Sequence, residues 1–260
     1  MFQPVLDDRS AEARYGRGNP PVLELVGGEN NRLAETIHAA LQSYPYHVVL
    51  RMTGKMDATA TVRAVLETLS HERRVSFTRV RIDPDAAAKP SRGTRYSRTN
   101  LPLTFHTDTA HSHRPHSLVA FQMLLPDAAG GGRSMIVTAK AVIDRLETDD
   151  VAALRAPRFD FGKGPVPIIW GPNASPSFRY YRTQIDAQAA VSLAPMPHDW
   201  ELLGRLDEVL QSFESTNQFA LHTGDVLFVN NHKALHARTG FASASQRSML
   251  RYRLRVDSLE

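Results

Sequence analysis

Residues 101–108 read LPLTFHTD, an apolar run that ends in the motif His106-x-Asp108. In an extended chain, the side chains at positions i and i+2 point to the same face, so this imidazole and this carboxylate can converge on one point. A surface pair or an isolated buried histidine would give the same motif. The pair therefore indicates a metal site only together with a third ligand from elsewhere in the chain.

The best candidate for the third ligand is His236, in the stretch 226–239 that reads VLFVNNHKALHART. It follows a predicted strand, Val226 to Val229. His232 lies four residues earlier, a spacing that makes a ligand pair on a helix, but the turn at Gly224 favours extended chain, where only one of the two faces the site. Two imidazoles and one carboxylate are the ligands of non-haem Fe(II) oxygenases, and they leave three coordination positions open.

A chelating co-substrate such as 2-oxoglutarate has a second carboxylate that needs a cation. Arginine suits it best, because its planar guanidinium binds a carboxylate through two parallel hydrogen bonds. Arg247 and Arg251 follow His236 by 11 and 15 residues, at and in the last predicted strand, Ser248 to Val256. Residues 247, 249, 251 and 253 share one face of that strand. A solvated strand face would have a similar composition.

Four motifs occur in a fixed order between about residues 95 and 255. They are Tyr96-Ser97 and Leu101-Pro102 before His106-Thr107-Asp108; Leu125-Pro126-Asp127 before Gly131-Gly132-Arg133-Ser134; Gly224-Asp225-Val226-Leu227-Phe228-Val229-Asn230-Asn231 before Leu235-His236-Ala237-Arg238-Thr239; and the pair Arg247 and Arg251. In this order and spacing, the motifs resemble the taurine dioxygenase and clavaminate synthase superfamily of Fe(II)/2-oxoglutarate-dependent oxygenases.

The resemblance implies an α+β fold with a double-stranded β-helix (jelly-roll) core and flanking helices. The core would span about residues 95–256 and a helical or mixed N-terminal part about residues 1–90, in a single domain of residues 1–260. Apolar spacing predicts helices at 30–41, 57–69, 139–146 and 198–213. Strands are predicted at 19–27, 47–52, 117–125, 133–138, 218–221, 226–229 and 248–256, two strand-like runs within 157–183, and a long polar loop at 83–104.

For the site, the resemblance implies Fe(II) held by His106, Asp108 and His236, with 2-oxoglutarate as co-substrate and O2 as oxidant. Arg247 would pair with the distal carboxylate of 2-oxoglutarate. Ser134 would supply a hydroxyl that helps to bind 2-oxoglutarate. The two residues after the paired glycines are more usually Asp-Thr in the superfamily, whereas here they are Arg133-Ser134.

Further arginines are candidates for the substrate. Arg251 would lie nearer the substrate, as the second arginine does in several members of the superfamily. Arg95 and Arg98 belong to a basic stretch at 73–98 that is mostly a solvated face, but they lie just before His106 and could hold an acidic substrate. His111, His113 and His116 are interpreted as loop residues at the mouth of the site.

The composition excludes several classes of protein. The chain of 260 residues is 42% hydrophobic and 22% charged, which is typical of globular proteins. It contains no cysteine, so disulfides, thiolate nucleophiles and cysteine-ligated metal sites are excluded. No apolar run is long enough for a signal peptide or a membrane span, so we expect a cytoplasmic protein.

The predicted function is therefore a dioxygenase that hydroxylates, or desaturates or cyclises, an unactivated C–H bond. The expected substrate is a small anionic molecule, such as an amino acid or derivative in secondary metabolism. Asp108 disfavours halogenation, in which a small residue replaces the carboxylate. A non-catalytic jelly-roll protein that binds metal or ligand is the alternative. Nucleic acid is disfavoured, because the net charge is only +4 and the basic stretch lacks interleaved aromatics.

Overall fold

The computed structural model describes residues 20–25, 30–52, 57–70, 75–83, 96–191, 196–216 and 218–260. Within these ranges the helices are α1 (Asn30–Gln42), α2 (Ala58–Ser70), α3 (Ala139–Ile143), α4 (Thr148–Leu154), α5 (Arg182–Ala189) and α6 (Pro197–Gln211). The strands are β1 (Val22–Leu25), β2 (His47–Met52), β3 (Phe77–Arg81), β4 (Leu103–His106), β5 (Leu118–Leu125), β6 (Ser134–Thr138), β7 (Phe159–Asp160), β8 (Pro165–Val166), β9 (Ile169–Trp170), β10 (Ser177–Phe178), β11 (Gln218–Phe219), β12 (Val226–Asn230), β13 (Ala234–Arg238) and β14 (Ser248–Leu254). Short 3-10 helices occur at Tyr96–Arg98 and Asp257–Leu259.

A six-stranded sheet has the order β1-β2-β12-β5-β14-β3. Its neighbouring strands are antiparallel except for the parallel pair β1 and β2. Helices α1 and α2 cover one face. Leu33, Ile37 and Leu41 are spaced four residues apart along α1, so they lie on one side of the helix and are completely buried in this layer.

A four-stranded sheet has the order β11-β6-β13-β4 and packs against the other face of the first sheet. Ile136 and Ala234 of this sheet meet Met123, Leu227 and Met249 of the six-stranded sheet in one apolar cluster. The outer face of the four-stranded sheet is covered by α3 to α6. Side chains alternate between faces along a strand, and this alternation decides which residues of β13 and β4 point between the sheets.

Most predicted elements are found within one or two residues of their expected ends. The exceptions are instructive. Helices α4 and α5 and strand β3 have no counterpart among the predicted elements, and the two strand-like runs predicted within 157–183 are four short strands, β7 to β10. Helix α3 ends three residues earlier than expected, and β1 begins three residues later. The predicted loop at 83–104 contains the start of β4, and His236 lies in a strand of its own, β13, rather than just beyond β12.

The structure contains no helix within its described ranges with the length and apolar character that crossing a bilayer requires.

Candidate metal centre and adjoining cavity

The two candidate histidine ligands face each other across neighbouring strands. His106 ends β4 and His236 lies in the middle of β13, and the two residues are direct partners in the antiparallel pairing. Directly opposed residues in such a pair have side chains about 5 Å apart on the same face, and here the two ring centroids lie 4.4 Å apart. Phe105 and Leu235, one position earlier, point to the helical layer instead. Strand periodicity therefore places both imidazoles between the sheets.

The carboxylate ligand is fixed by a turn whose backbone is held by Asn231. The backbone N–H of Asp108 donates to Oδ1 of Asn231 at 2.8 Å, and Nδ2 of Asn231 donates to the Asp108 carbonyl at 3.0 Å. Thr109 follows with a φ of 58°, which turns the chain away from the strand direction. Asn231 is buried and lies just after β12. It belongs to the third motif, and the sequence alone indicates no role for it.

The three side chains meet at one point. Oδ1 of Asp108 lies 3.8 Å from Nε2 of His106 and 3.7 Å from Nε2 of His236. Donor atoms of the three residues all lie within 4.8 Å of one another, and all three residues are buried. This separation suits one metal ion bound between them, since metal–nitrogen and metal–oxygen bonds are about 2 Å long.

Hydrogen bonding and burial prepare the imidazoles as ligands. Nδ1 of His106 lies 2.8 Å from the Thr104 carbonyl, which can only accept, so Nδ1 carries the proton and Nε2 presents a lone pair. Burial, reinforced by the nearby His236, lowers the pKa of His106 to about 3, so its ring is neutral at pH 7. Both ring nitrogens of His236 are buried without a hydrogen-bond partner. Such orphaned polar atoms are costly unless a ligand satisfies them.

Asp108 is ionised despite its burial. Burial alone would raise its pKa, but Arg251, His236 and Arg253 together lower it well below the usual range. Nε of Arg253 donates to Oδ2 of Asp108 at 2.6 Å, and Nη1 of Arg251 lies 3.4 Å from the same oxygen. Both arginines lie on one face of β14, which also carries Met249, whereas Arg247 lies just before the strand begins. The sequence predicts the shared face of residues 249, 251 and 253 but indicates no role for Arg253.

A cavity of about 50 Å³, partly open to solvent, is lined by His106 and His236 of this cluster. The residues that line it come from both sheets and include His106, His236, Ser134, Arg247, Arg251 and Phe121.

Arg247 contributes a buried positive charge to this cavity. Only 4% of the residue is exposed, and no described carboxylate lies within 4.0 Å of its guanidinium. Its Nη2 donates to the Gly132 carbonyl at 3.3 Å, whereas its Nε has no partner. Burial lowers the pKa of Arg247 to about 10, although Asp127 opposes this shift. Such a group favours an anionic ligand, because an unpaired buried charge is unfavourable.

Gly132 allows Arg247 to lie where it does. Its φ is +67°, and a Cβ at this position would lie 2.5 Å from Nε of Arg247. Ser134, two residues later, is buried and pairs with Arg238 in the register of β6 and β13. The second motif therefore brings a hydroxyl and a glycine to the same cavity as Arg247.

The other predicted site residues are placed differently. Arg251 lines the cavity and contacts Asp108. Arg98 is half-buried and lines a neighbouring, more open cavity together with Arg79 and Arg81, which Arg247 also borders. Arg95 lies outside the described residues, so its predicted role remains a prediction.

The remaining histidines near the motif lie around the site rather than in it. Nε2 of His232 lies 3.3 Å from the Pro115 carbonyl, so this residue contacts the loop after Asp108. Nδ1 of His111 lies 3.3 Å from Nε2 of Gln184 at the surface, and Nδ1 of His116 lies 3.1 Å from Oγ1 of Thr109. These contacts agree with their interpretation as loop residues.

Comparisons with known proteins bear on this geometry. The model of the taurine catabolism dioxygenase family, TauD/TfdA, matches residues 170–253, which include His236, Arg247 and Arg251. A structure of asparagine oxygenase is similar with a TM-score of 0.67 and 20% identity, over 87% of this chain and 79% of that one. The non-heme iron oxygenase OrfP, in complex with Fe and alpha-ketoglutaric acid, is similar with a TM-score of 0.62 and 16% identity, over 90% of this chain and 81% of that one.

At these identities the solved structures establish a shared mixed α/β fold. The family match covers the third and fourth of the four motifs and agrees there with the resemblance that they indicate, and the solved structures agree with it in fold. No curated protein has a matching sequence.

Proposed function

We propose that this chain is a non-haem Fe(II)- and 2-oxoglutarate-dependent oxygenase that hydroxylates a C–H bond of an amino acid or a similar small carboxylated molecule. One observation carries the proposal. A buried His106, Asp108 and His236 cluster opens onto a cavity that also contains Arg247, a buried cation without a described carboxylate partner. A metal ion bound by the cluster would occupy its donor atoms, and a carboxylate beside Arg247 would neutralise its buried charge.

The residues present fit Fe(II). The donor set is two imidazoles, of which that of His106 is neutral because of its burial, and one ionised carboxylate. The ring nitrogens of His236 make no hydrogen bond, and a metal ion would occupy one of them. This combination suits iron and leaves positions for a chelating co-substrate and O2. When bound, the iron and 2-oxoglutarate supply the activation of O2 that oxidises the C–H bond, while 2-oxoglutarate is converted to succinate and CO2.

The chain's own residues bind, orient and exclude water. Arg247 holds the distal carboxylate of 2-oxoglutarate, and the Ser134 hydroxyl donates to it. Phe121, Leu227 and Met249 give the cavity apolar walls, which keep water away from the reacting atoms and strengthen the charge–charge interactions inside. The ring of Tyr181 lies 4.9 Å from that of His106, so Tyr181 contacts the metal centre from a third element.

Arg251 orients the substrate through an anionic group. It lies on β14, four residues beyond Arg247, and lines the same cavity. The similar structures support an amino-acid substrate, since one is an asparagine oxygenase in complex with 3-hydroxyasparagine and another is OrfP in complex with (3S)-hydroxy-L-Arg. Arg95 and Arg98 are further candidates for this anionic group. The proposed partner is thus a small molecule, and not nucleic acid or a membrane, in a cytoplasmic protein.

The strand order supports a double-stranded β-helix core within a single domain. Strands β3 to β6 alternate between the six-stranded and the four-stranded sheet, and β11 to β14 alternate in the opposite sense. The first set pairs with the second in reverse order: β3 with β14, β4 with β13, β5 with β12 and β6 with β11. Two antiparallel strand ribbons wound together in this way form a jelly roll.

The proposal is tested by succinate release from 2-oxoglutarate in the presence of Fe(II) and O2, across a panel of free amino acids and their N-acyl derivatives. We expect one substrate class to increase succinate release and to gain one oxygen atom in mass. Succinate release that no panel member stimulates, together with binding of metal alone, would favour the non-catalytic metal-binding alternative. Protein that binds neither Fe(II) nor 2-oxoglutarate would refute the proposal.

A further inference from the structure

The two oxygens of Asp108 have different surroundings. Oδ1 faces both imidazoles, at 3.8 Å from Nε2 of His106 and 3.7 Å from Nε2 of His236. Oδ2 accepts a 2.6 Å hydrogen bond from Nε of Arg253. A carboxylate on a rotatable side chain has no intrinsic preference between its two oxygens, so a directional contact has to select one of them.

Arg253 is the contact that makes this selection. Arg251 also approaches Asp108, but its Nη1 lies 3.4 Å from both oxygens and so does not distinguish them. Charge-assisted hydrogen bonds of 2.6–2.9 Å are the short and strong ones. Nε of an arginine lies within the planar guanidinium, which gives the bond a fixed direction that an ammonium group lacks.

The sheet determines that Arg253 can reach this carboxylate. It lies on β14 opposite Val119 of β5, one residue beyond Tyr252, where the pairing with β3 ends. The edge strand β3 therefore does not extend alongside Arg253. The side chain of Arg253 is 29% exposed, whereas that of Asp108, which it contacts, is only 4% exposed. The side chain of Arg253 makes no other hydrogen bond or ion pair to a described residue, so its polar contact with the described protein is directed at Asp108.

We propose that Arg253 is a positioning residue for the metal ligand Asp108, holding Oδ2 so that Oδ1 remains directed at the two imidazoles. This inference rests on the proposed metal site. Groups that orient metal ligands in this way typically contribute 10- to 100-fold to metal affinity or activity. A cation beside a cation site also has an opposite effect, because its charge repels the metal ion. If Arg253 orients Asp108, its removal weakens metal binding. If Arg253 acts only through its charge, its removal strengthens metal binding.

The experiment measures the dissociation constant of Mn(II), used as a redox-stable probe, by calorimetric titration of the full chain. We expect Arg253→Gln to weaken Mn(II) binding by about tenfold or more, and Arg253→Lys, which keeps the charge but loses the directed Nε, to lie between Gln and wild type. The matched control is Arg255→Gln, two residues further along, which removes an exposed arginine that bonds the Arg114 carbonyl instead. It should bind Mn(II) like wild type.

An unchanged or tighter Mn(II) dissociation constant in Arg253→Gln would overturn the inference. If this variant does not fold, Arg253→Lys is judged by the same criterion against wild type. A second variant, Asp108→Ala, distinguishes a wrong role for Arg253 from a wrong metal site. If Asp108→Ala weakens Mn(II) binding and Arg253→Gln does not, only the role of Arg253 is wrong. If Asp108→Ala also binds Mn(II) like wild type, the proposed metal site itself is wrong.

Discussion

Replacing Arg247 with methionine should weaken 2-oxoglutarate binding without destabilising the protein. Methionine has a similar length, so the change removes the charge and keeps most of the apolar stem. In the structure, burial lowers the pKa of Arg247 from 12.5 to about 10. At about 1.4 kcal/mol per pKa unit, this corresponds to roughly 3 kcal/mol of unfavourable free energy for the charged form. A carboxylate that pairs with the guanidinium would recover free energy of this order.

We therefore expect Arg247→Met to lose roughly 3 kcal/mol of 2-oxoglutarate binding, or about a hundredfold in dissociation constant. The assay is an anaerobic titration of the Mn(II)-loaded protein with 2-oxoglutarate. The melting temperature of the ligand-free variant should be equal to or above that of wild type, because an unpaired buried charge has been removed. Arg133→Met is the matched control, since Arg133 bonds the Gln218 carbonyl and does not line the cavity.

Two results would refute this reasoning. A 2-oxoglutarate affinity within about threefold of wild type would mean that another residue holds the distal carboxylate, and Arg238, which lines the same cavity, is the alternative. A marked fall in the melting temperature of the ligand-free variant would mean that Arg247 is a structural residue whose hydrogen bond to Gly132 matters more than its charge.

Three further predictions follow from the same contacts. Asp108→Ala removes the anionic ligand, so it should abolish succinate release and weaken Fe(II) binding; native turnover would contradict the ligand assignment. Arg251→Gln should raise the substrate KM and leave 2-oxoglutarate affinity unchanged, and a substrate's methyl ester should be a poor substrate; equal turnover of acid and ester would contradict this. Burial alone would raise the pKa of Asp225, but hydrogen bonds from Arg51 and from the His222 backbone lower it overall. Asp225→Asn should therefore lower the unfolding free energy by about 1–2 kcal/mol above about pH 4, and this difference should disappear as the pH falls through the lowered pKa. A pH-independent difference in urea unfolding would contradict it.

The proximity of His106 and Asp108 could be predicted from the sequence because it depends on local periodicity. His106 and Asp108 are two residues apart, and an extended chain places both on one face. Arg251 and Arg253 share a strand face for the same reason, and Arg247 lies just before the same strand. These relations hold within one segment, so they need no knowledge of how strands pair. The structure places His106, Arg247 and Arg251 around one cavity, with Asp108 beside His106.

Contacts between distant segments are less predictable. That His236 lies opposite His106 depends on the register of β13 against β4, and this register shifts between His236 and Arg238. The short helices α4 and α5 have too few turns to show a clear apolar period, and they are stabilised by packing against α6 and the four-stranded sheet. Asn231 fixes Asp108 across 123 residues of sequence, a contact that periodicity cannot reveal.

The charges at the centre connect the site to the kind of substrate proposed. Among the described residues in contact there, Asp108 supplies one negative charge and Arg251 and Arg253 supply two positive charges. A divalent ion adds two more. In the proposed complex, Arg247 would balance the distal carboxylate of 2-oxoglutarate separately, so only the other carboxylate would offset this excess. Positive charge would then remain in a cavity with apolar walls, where Coulomb interactions are stronger than in water. An anionic group on the substrate would reduce that charge, and a neutral substrate would leave all of it unbalanced.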